Sequence, residues 1–78
     1  IIYMKKCSLS KLPEGETAKV SALFNEACMR RRLEDIGLVA GAEATALYRN
    51  NSLRAYLIKG AVVAIRDEDA GKITVIRR

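Results

Sequence analysis

The chain has no histidine and no tryptophan, and its 78 residues include only two cysteines, one proline and one phenylalanine. Each shortage closes a route to function. Without imidazole, and with Cys7 and Cys28 outside any CxxC pair, spacing offers no ligand set for a structural zinc or a ferrous centre. No metal site or cofactor is expected. Both thiols read as packing residues, because free cysteine is among the most often buried side chains. No nucleophile motif or enclosed carboxylate pair is visible, so there is no catalytic constellation and no enzyme is expected. Gly15, Gly37, Gly41, Gly60 and Gly71 fall in separate turns without a following Gly-Lys-Ser/Thr, which excludes a phosphate loop.

Aromatic and apolar shortages say more. With three tyrosines and one phenylalanine, an aromatic-lined groove for proline-rich peptides is not expected. Tyr48 and Tyr56, on facing arms of a hairpin, are expected to pack within the sheet. The longest apolar run, Ala61 to Ile65, is far short of the roughly twenty residues needed to cross a bilayer. The opening Ile1-Ile2-Tyr3-Met4-Lys5-Lys6 puts its apolar part before its basic part, the reverse of a secretory signal. A cytoplasmic location is expected. Met4 is a candidate first residue, and residues 1–7 are expected to be partly disordered or additional to the natural chain.

What is present is half apolar and carries a net charge of +5. A chain this short buries roughly two thirds of its unfolded surface, so one compact domain over residues 1–78 is expected. The basic excess suits nucleic acid, an anionic membrane face or an acidic protein surface. Its only run, Arg30-Arg31-Arg32, spreads over about 200 degrees of a helix and does not make one flat patch. Arg30, Arg31, Arg49 and Arg54 are candidate partner contacts by charge and expected exposure. A guanidinium from Arg30 to Arg32 or Arg49 could serve a partner GTPase, although arginines on a helix ordinarily solvate it.

Patterning predicts a mainly β chain. Ser8 to Glu16 combines Ser, Pro and Gly and predicts a short helical turn and loop that tuck Leu9 and Leu12 under a strand. Thr17 to Leu23 alternates as a half-buried strand does. Asn25 is a candidate N-cap for a helix ending at Ile36. Met29, Leu33 and Ile36 share its apolar face. Gly37 suits the left-handed residue after the helix, with Leu33 and Leu38 touching across a Schellman turn. Glu43 to Tyr48 and Leu53 to Ile58 flank a loop at Arg49 to Ser52. Ala61 to Arg66, a helical turn at Asp67 to Gly71, and Ile73 to Arg77 complete the order. About five strands, one short α-helix and one or two helical turns favour a sheet closed into a small barrel. The expected core is Val20, Leu33, Ile36, Leu38, Ala46, Leu57, Val63, Ile65, Ala70, Ile73 and Val75, with Gly37, Gly41 and Gly60 as structural turns.

Four pieces in this order resemble the FeoA family, small proteins of bacterial ferrous iron uptake. Leu9 to Gly15 is similar to the family's leader of spaced leucines, and Ala18-Lys19-Val20 to its first strand. Arg32-Leu33-Glu34-Asp35-Ile36-Gly37-Leu38 with Gly41 resembles its Arg-Leu-x-x-x-Gly-Leu-x-x-Gly segment. Gly60 to Arg66 with Ala70, Ile73 and Val75 resembles its closing pattern. Ala40 and Ala42 stand where the family often has Pro and Thr. The resemblance implies an SH3-like barrel, an association with transition-metal handling, and an accessory role on the cytosolic side of the FeoB ferrous iron transporter. Participation in iron transport does not require that the chain bind iron. A homo-oligomer is compatible with this. The alternatives are a small basic barrel that binds RNA or DNA, against which the scarcity of stacking aromatics counts, and the C-terminal SH3-like module of a metal-dependent transcription regulator.

Overall fold

The computed structural model describes residues 5–77. The elements are β1 (Lys5–Ser8), a 3₁₀ turn (Leu9–Lys11), β2 (Thr17–Leu23), α1 (Ala27–Asp35), β3 (Glu43–Asn50), β4 (Leu53–Ile58), β5 (Ala61–Arg66), α2 (Asp67–Ala70) and β6 (Ile73–Arg77). All six strands form one antiparallel sheet in the order β1-β6-β2-β3-β4-β5. The sheet turns around a single core because β2 serves both halves. Thr17 to Lys19 pair with β3, Lys19 to Leu23 pair with β6, and a register shift between Val20 and Ala22 lets the strand bend.

β1 is the strand that patterning does not reveal. Lys5 to Ser8 pair with Arg77 to Thr74, although two exposed lysines give the segment no apolar alternation. Residues 5–7 are thus ordered in a sheet rather than part of a loose terminus, while the expectation for Ile1 to Met4 lies outside the described residues. Pairing with β6 sets Cys7 against the core, where a packing thiol was expected. Cys28 is exposed on α1, against the packing role expected for it.

Turn chemistry accounts for the hairpins. Lys59 and Gly60 have φ of 51° and 80°, the two positive values that a tight turn between β4 and β5 requires. Asn51, at φ 57°, lets β3 and β4 run on to the pair Asn50 and Leu53, so the loop expected over Arg49 to Ser52 shrinks to its last two residues. Asn25 is not the cap of α1. Glu26 holds that position without a side-chain bond, and the buried Asn25 sends its Nδ2–H to the carbonyl of Asp69 at 3.1 Å.

The core contains Val20, Leu33, Leu38, Ala46, Ile65, Ala70, Ile73 and Val75 as expected, with Val63 half-buried against it. Two expected members are outside. Leu57 faces solvent because Tyr56 and Ile58, each fully buried, set the phase of β4 one residue away from the expected one. Ile36 is 41% exposed because it is the C-cap, beyond the turn that Leu33 anchors. A register shift between Ala46 and Tyr48 leaves Ala44 and Ala46 inward and Tyr48 exposed, so the two hairpin tyrosines do not pack together.

Tyr56 is instead the centre of the molecule. Its Oη–H donates to the carbonyl of Leu9 at 3.0 Å. The same carbonyl accepts the Leu12 N–H that closes the 3₁₀ turn. Burial pushes the phenol up to about 12, with Arg54 pulling it down and Asp67 adding to the rise. A neutral phenol in both states makes no difference to stability below the unfolded pKa near 10. Above it the unfolded chain ionises first, so stability falls between about pH 10 and 12. Tyr56→Phe should cost about 1 kcal/mol at neutral pH, since Leu9 keeps its second donor. It should also lose part of the alkaline decline, checked by urea titrations of both proteins at pH 8 and at higher pH.

Candidate docking surface

α1 ends by backbone chemistry that is local in sequence. Gly37 N–H bonds to the carbonyl of Glu34 at 3.0 Å and Leu38 N–H to that of Leu33 at 2.9 Å, the two bonds of a Schellman turn. Gly37 has φ 102°, where an L-residue is strained. A Cβ there would also lie 2.9 Å from Cδ of Lys59, whose stem crosses the turn. This contact brings the end of α1 to the start of β5.

Between these ends the helix is held lightly. Leu33 is its only buried residue, and Met29 packs half-buried against the core. Along the rest of its length α1 stands off the sheet and leaves a groove of about 360 Å³. Met29, Leu33 and Ile36 form one wall, and Val63, Ala64 and Ile65 of β5 the other. Arg32, Arg66, Asp69 and Leu53 of β4 complete its lining.

The four candidate arginines fall on two separate faces. Arg30 and Arg31 are exposed around a hollow along α1, shared with Cys28, Arg32, Glu34 and Asp35. Arg49 and Arg54 converge on one carboxylate, with Nη2 of Arg49 3.0 Å and Nε of Arg54 3.9 Å from Asp67. The Asp67 N–H bonds to the carbonyl of Ser52 at 2.8 Å, so this cluster clasps the β3–β4 hairpin to α2. Arg54 is only 17% exposed in its side chain, which leaves little of it to reach outward. Sequence reasoning placed Arg32 among the arginines that could serve a GTPase but overlooked Ala64 and Arg66 of β5, whose signal, the unbroken apolar run before Arg66, reads equally well as a strand buried on both faces.

Among the described residues no three His, Cys, Asp or Glu side chains are placed to hold a metal ion, and no helix is long and apolar enough to cross a membrane.

Sheet order, turns and helix placement define an SH3-like barrel domain with a helix inserted between its first two long strands. The family model for the FeoA domain matches residues 7–77, and the chain belongs to the FeoA family. It is 34% identical to the FeoA protein of Chlorobium tepidum, covering 87% of this chain and 67% of that one, with a TM-score of 0.84. The zinc-complexed FeoA of Stenotrophomonas maltophilia, described as a procaryotic SH3 domain protein and a candidate ferrous iron transport activating factor, is 25% identical. That match covers 91% of this chain and 95% of the other, with a TM-score of 0.76. A manganese-dependent transcriptional repressor, 22% identical, shares the fold at a TM-score of 0.86. It matches over 94% of this chain, which spans 37% of the repressor. No curated protein matches the chain significantly.

The turn that joins α1 to the barrel gives a direct test. Gly37→Val forces a β-branched residue to positive φ and should destabilise the fold by about 1–3 kcal/mol. The clash with Lys59 is with a flexible stem, so Gly37→Val/Lys59→Ala should recover little of that loss in urea unfolding.

Proposed function

We propose that this protein is an accessory module of ferrous iron uptake that docks on the cytosolic part of a FeoB-type transporter and works by contact, without chemistry of its own. Membership of the FeoA family over residues 7–77 carries this reading. Its setting is cytoplasmic, and iron is the transporter's cargo rather than a ligand of this chain.

The charges of α1 support a contact role. Glu34 and Asp35 lie in the last turn, where carboxylates oppose the helix dipole. Arg30 and Arg31 precede them by four residues, the weaker order for helical ion pairs. Neither pair closes among the ion pairs of the described residues. These side chains contribute little to their own helix and are free to meet a partner. Arg30 and Arg31 are the proposed direct contacts, while Arg49 and Arg54, on the other face, serve to hold the β3–β4 hairpin to α2 through Asp67.

Adding the GTPase domain of a ferrous iron transporter to isotope-labelled protein should move amide signals on one surface, including those of Arg30 and Arg31. Those shifts should weaken with salt far less steeply than those of a nucleic-acid complex, which releases many counterions. No shifts with that domain, together with salt-sensitive shifts from a short RNA, would replace this reading with a nucleic-acid-binding barrel.

A further inference from the structure

The two edges of the sheet are finished differently. β1 carries Lys5 and Lys6, both exposed, a common device against unwanted strand pairing. β5 is hydrogen-bonded on one side only, to β4, and presents five apolar residues before its first charge at Arg66. Its ladder with β4 runs from Ala61 and Ile58 to Arg66 and Leu53 without a register shift, so no bulge disrupts the edge. Ala61, Val62 and Ala64 are exposed, Val62 by 61%.

The groove beside α1 follows this edge. Val63, Ala64, Ile65 and Arg66 all line it. Successive side chains of a strand point to opposite faces, so a groove that touches four in a row follows the strand, and at its Arg66 end it reaches Leu53 of β4, the residue paired with Arg66. Its volume equals the liquid share of about a dozen waters, room for a few aliphatic side chains. Arg32 and Arg66 are exposed along the groove, and neither is among the ion-paired arginines of the described residues, which are Arg49, Arg54 and Arg77. Asp69 is the single carboxylate of the groove and lies half-buried toward α2.

We propose that the groove between α1 and β5 receives an extended segment of a partner protein that adds to β5 as a strand, inserts aliphatic side chains between Met29, Ile36 and Val63, and sets a carboxylate against Arg32 and Arg66. This deepens the docking role and rests on it for the expectation that the partner is a protein. The bare edge supplies backbone donors and acceptors, the apolar walls supply burial, and the two guanidinium groups select an acidic segment. A second copy of this chain is the poorer occupant, because each copy carries +5 and would bring arginines to arginines.

A random-peptide display library selected on the full chain tests the chemistry. Enriched peptides should combine aliphatic residues with Asp or Glu, move the amide signals of β5 and α1, and slow hydrogen exchange of β5 amides. Ile36→Asp, at an already exposed position, should abolish binding. The double reversal Arg32→Glu/Arg66→Glu should weaken it roughly tenfold and favour basic peptides. Enrichment of neutral or basic peptides by the parent protein, shifts on another face, or no enrichment would overturn the proposal. The transporter's GTPase domain, titrated in parallel, separates this from the functional reading. Equal binding to the parent and the double reversal would sink the groove and keep the transporter, whereas acidic peptides binding where the domain does not would keep the groove and sink the transporter.

Discussion

The hydrogen bond from the Tyr56 phenol to the Leu9 carbonyl is the constraint around which the barrel is arranged. It joins a central strand of the sheet to a turn 47 residues earlier, at a place from which water is excluded. The phenol can be buried only because that carbonyl is aimed at it. The carbonyl is aimed because Leu9 and Leu12, both fully buried, hold the 3₁₀ turn under the sheet. β1 leads directly into that turn, so its pairing with β6 is set by the same anchor. Tyr56 also fixes the phase of β4, which turns Ile58 inward and leaves Leu57 in solvent.

Against this tightly determined barrel, α1 is a loosely attached part. One buried leucine, one half-buried methionine and a Schellman turn hold nine residues. A helix so attached costs little to displace, because most of its stability in a globular protein comes from packing an apolar face. The arrangement places a lightly packed wall beside an unpaired strand edge, which suits the proposed docking role. The same fold occurs in FeoA proteins and in a much longer manganese-dependent repressor. The barrel alone therefore does not specify a function, which depends on the residues that line its open side.

The parts of the fold that were legible in the sequence are those whose cause is local. The Schellman turn needs only Leu33, Gly37 and Leu38 at fixed spacing, and it forms as expected. The β2 alternation and the apolar run of β5 are likewise visible as patterns. β1 was not legible, because its only reason to be a strand is β6, almost 70 residues away. Asn25 has the chemistry of a cap, yet its Nδ2–H is tied to a carbonyl of α2 and its buried Oδ1 meets no N–H of the helix. The burial of Tyr56 could not be read from β4 alone, since the partner that makes it tolerable belongs to the leader.

The candidate arginines divide on the same principle. That they are basic and mostly exposed follows from residue type, which is why the sequence could nominate them. That Arg49 and Arg54 share Asp67, while Arg32 and Arg66 line one groove, follows only from how β4, β5, α1 and α2 come together. By itself the sequence determined the family, the order of the main strands, and the helix and its stop, because each depends on residue type and short-range spacing. Tertiary structure decided the sixth strand, the partner of the buried phenol and the open edge beside α1, because these rest on contacts between segments with no short-range signature.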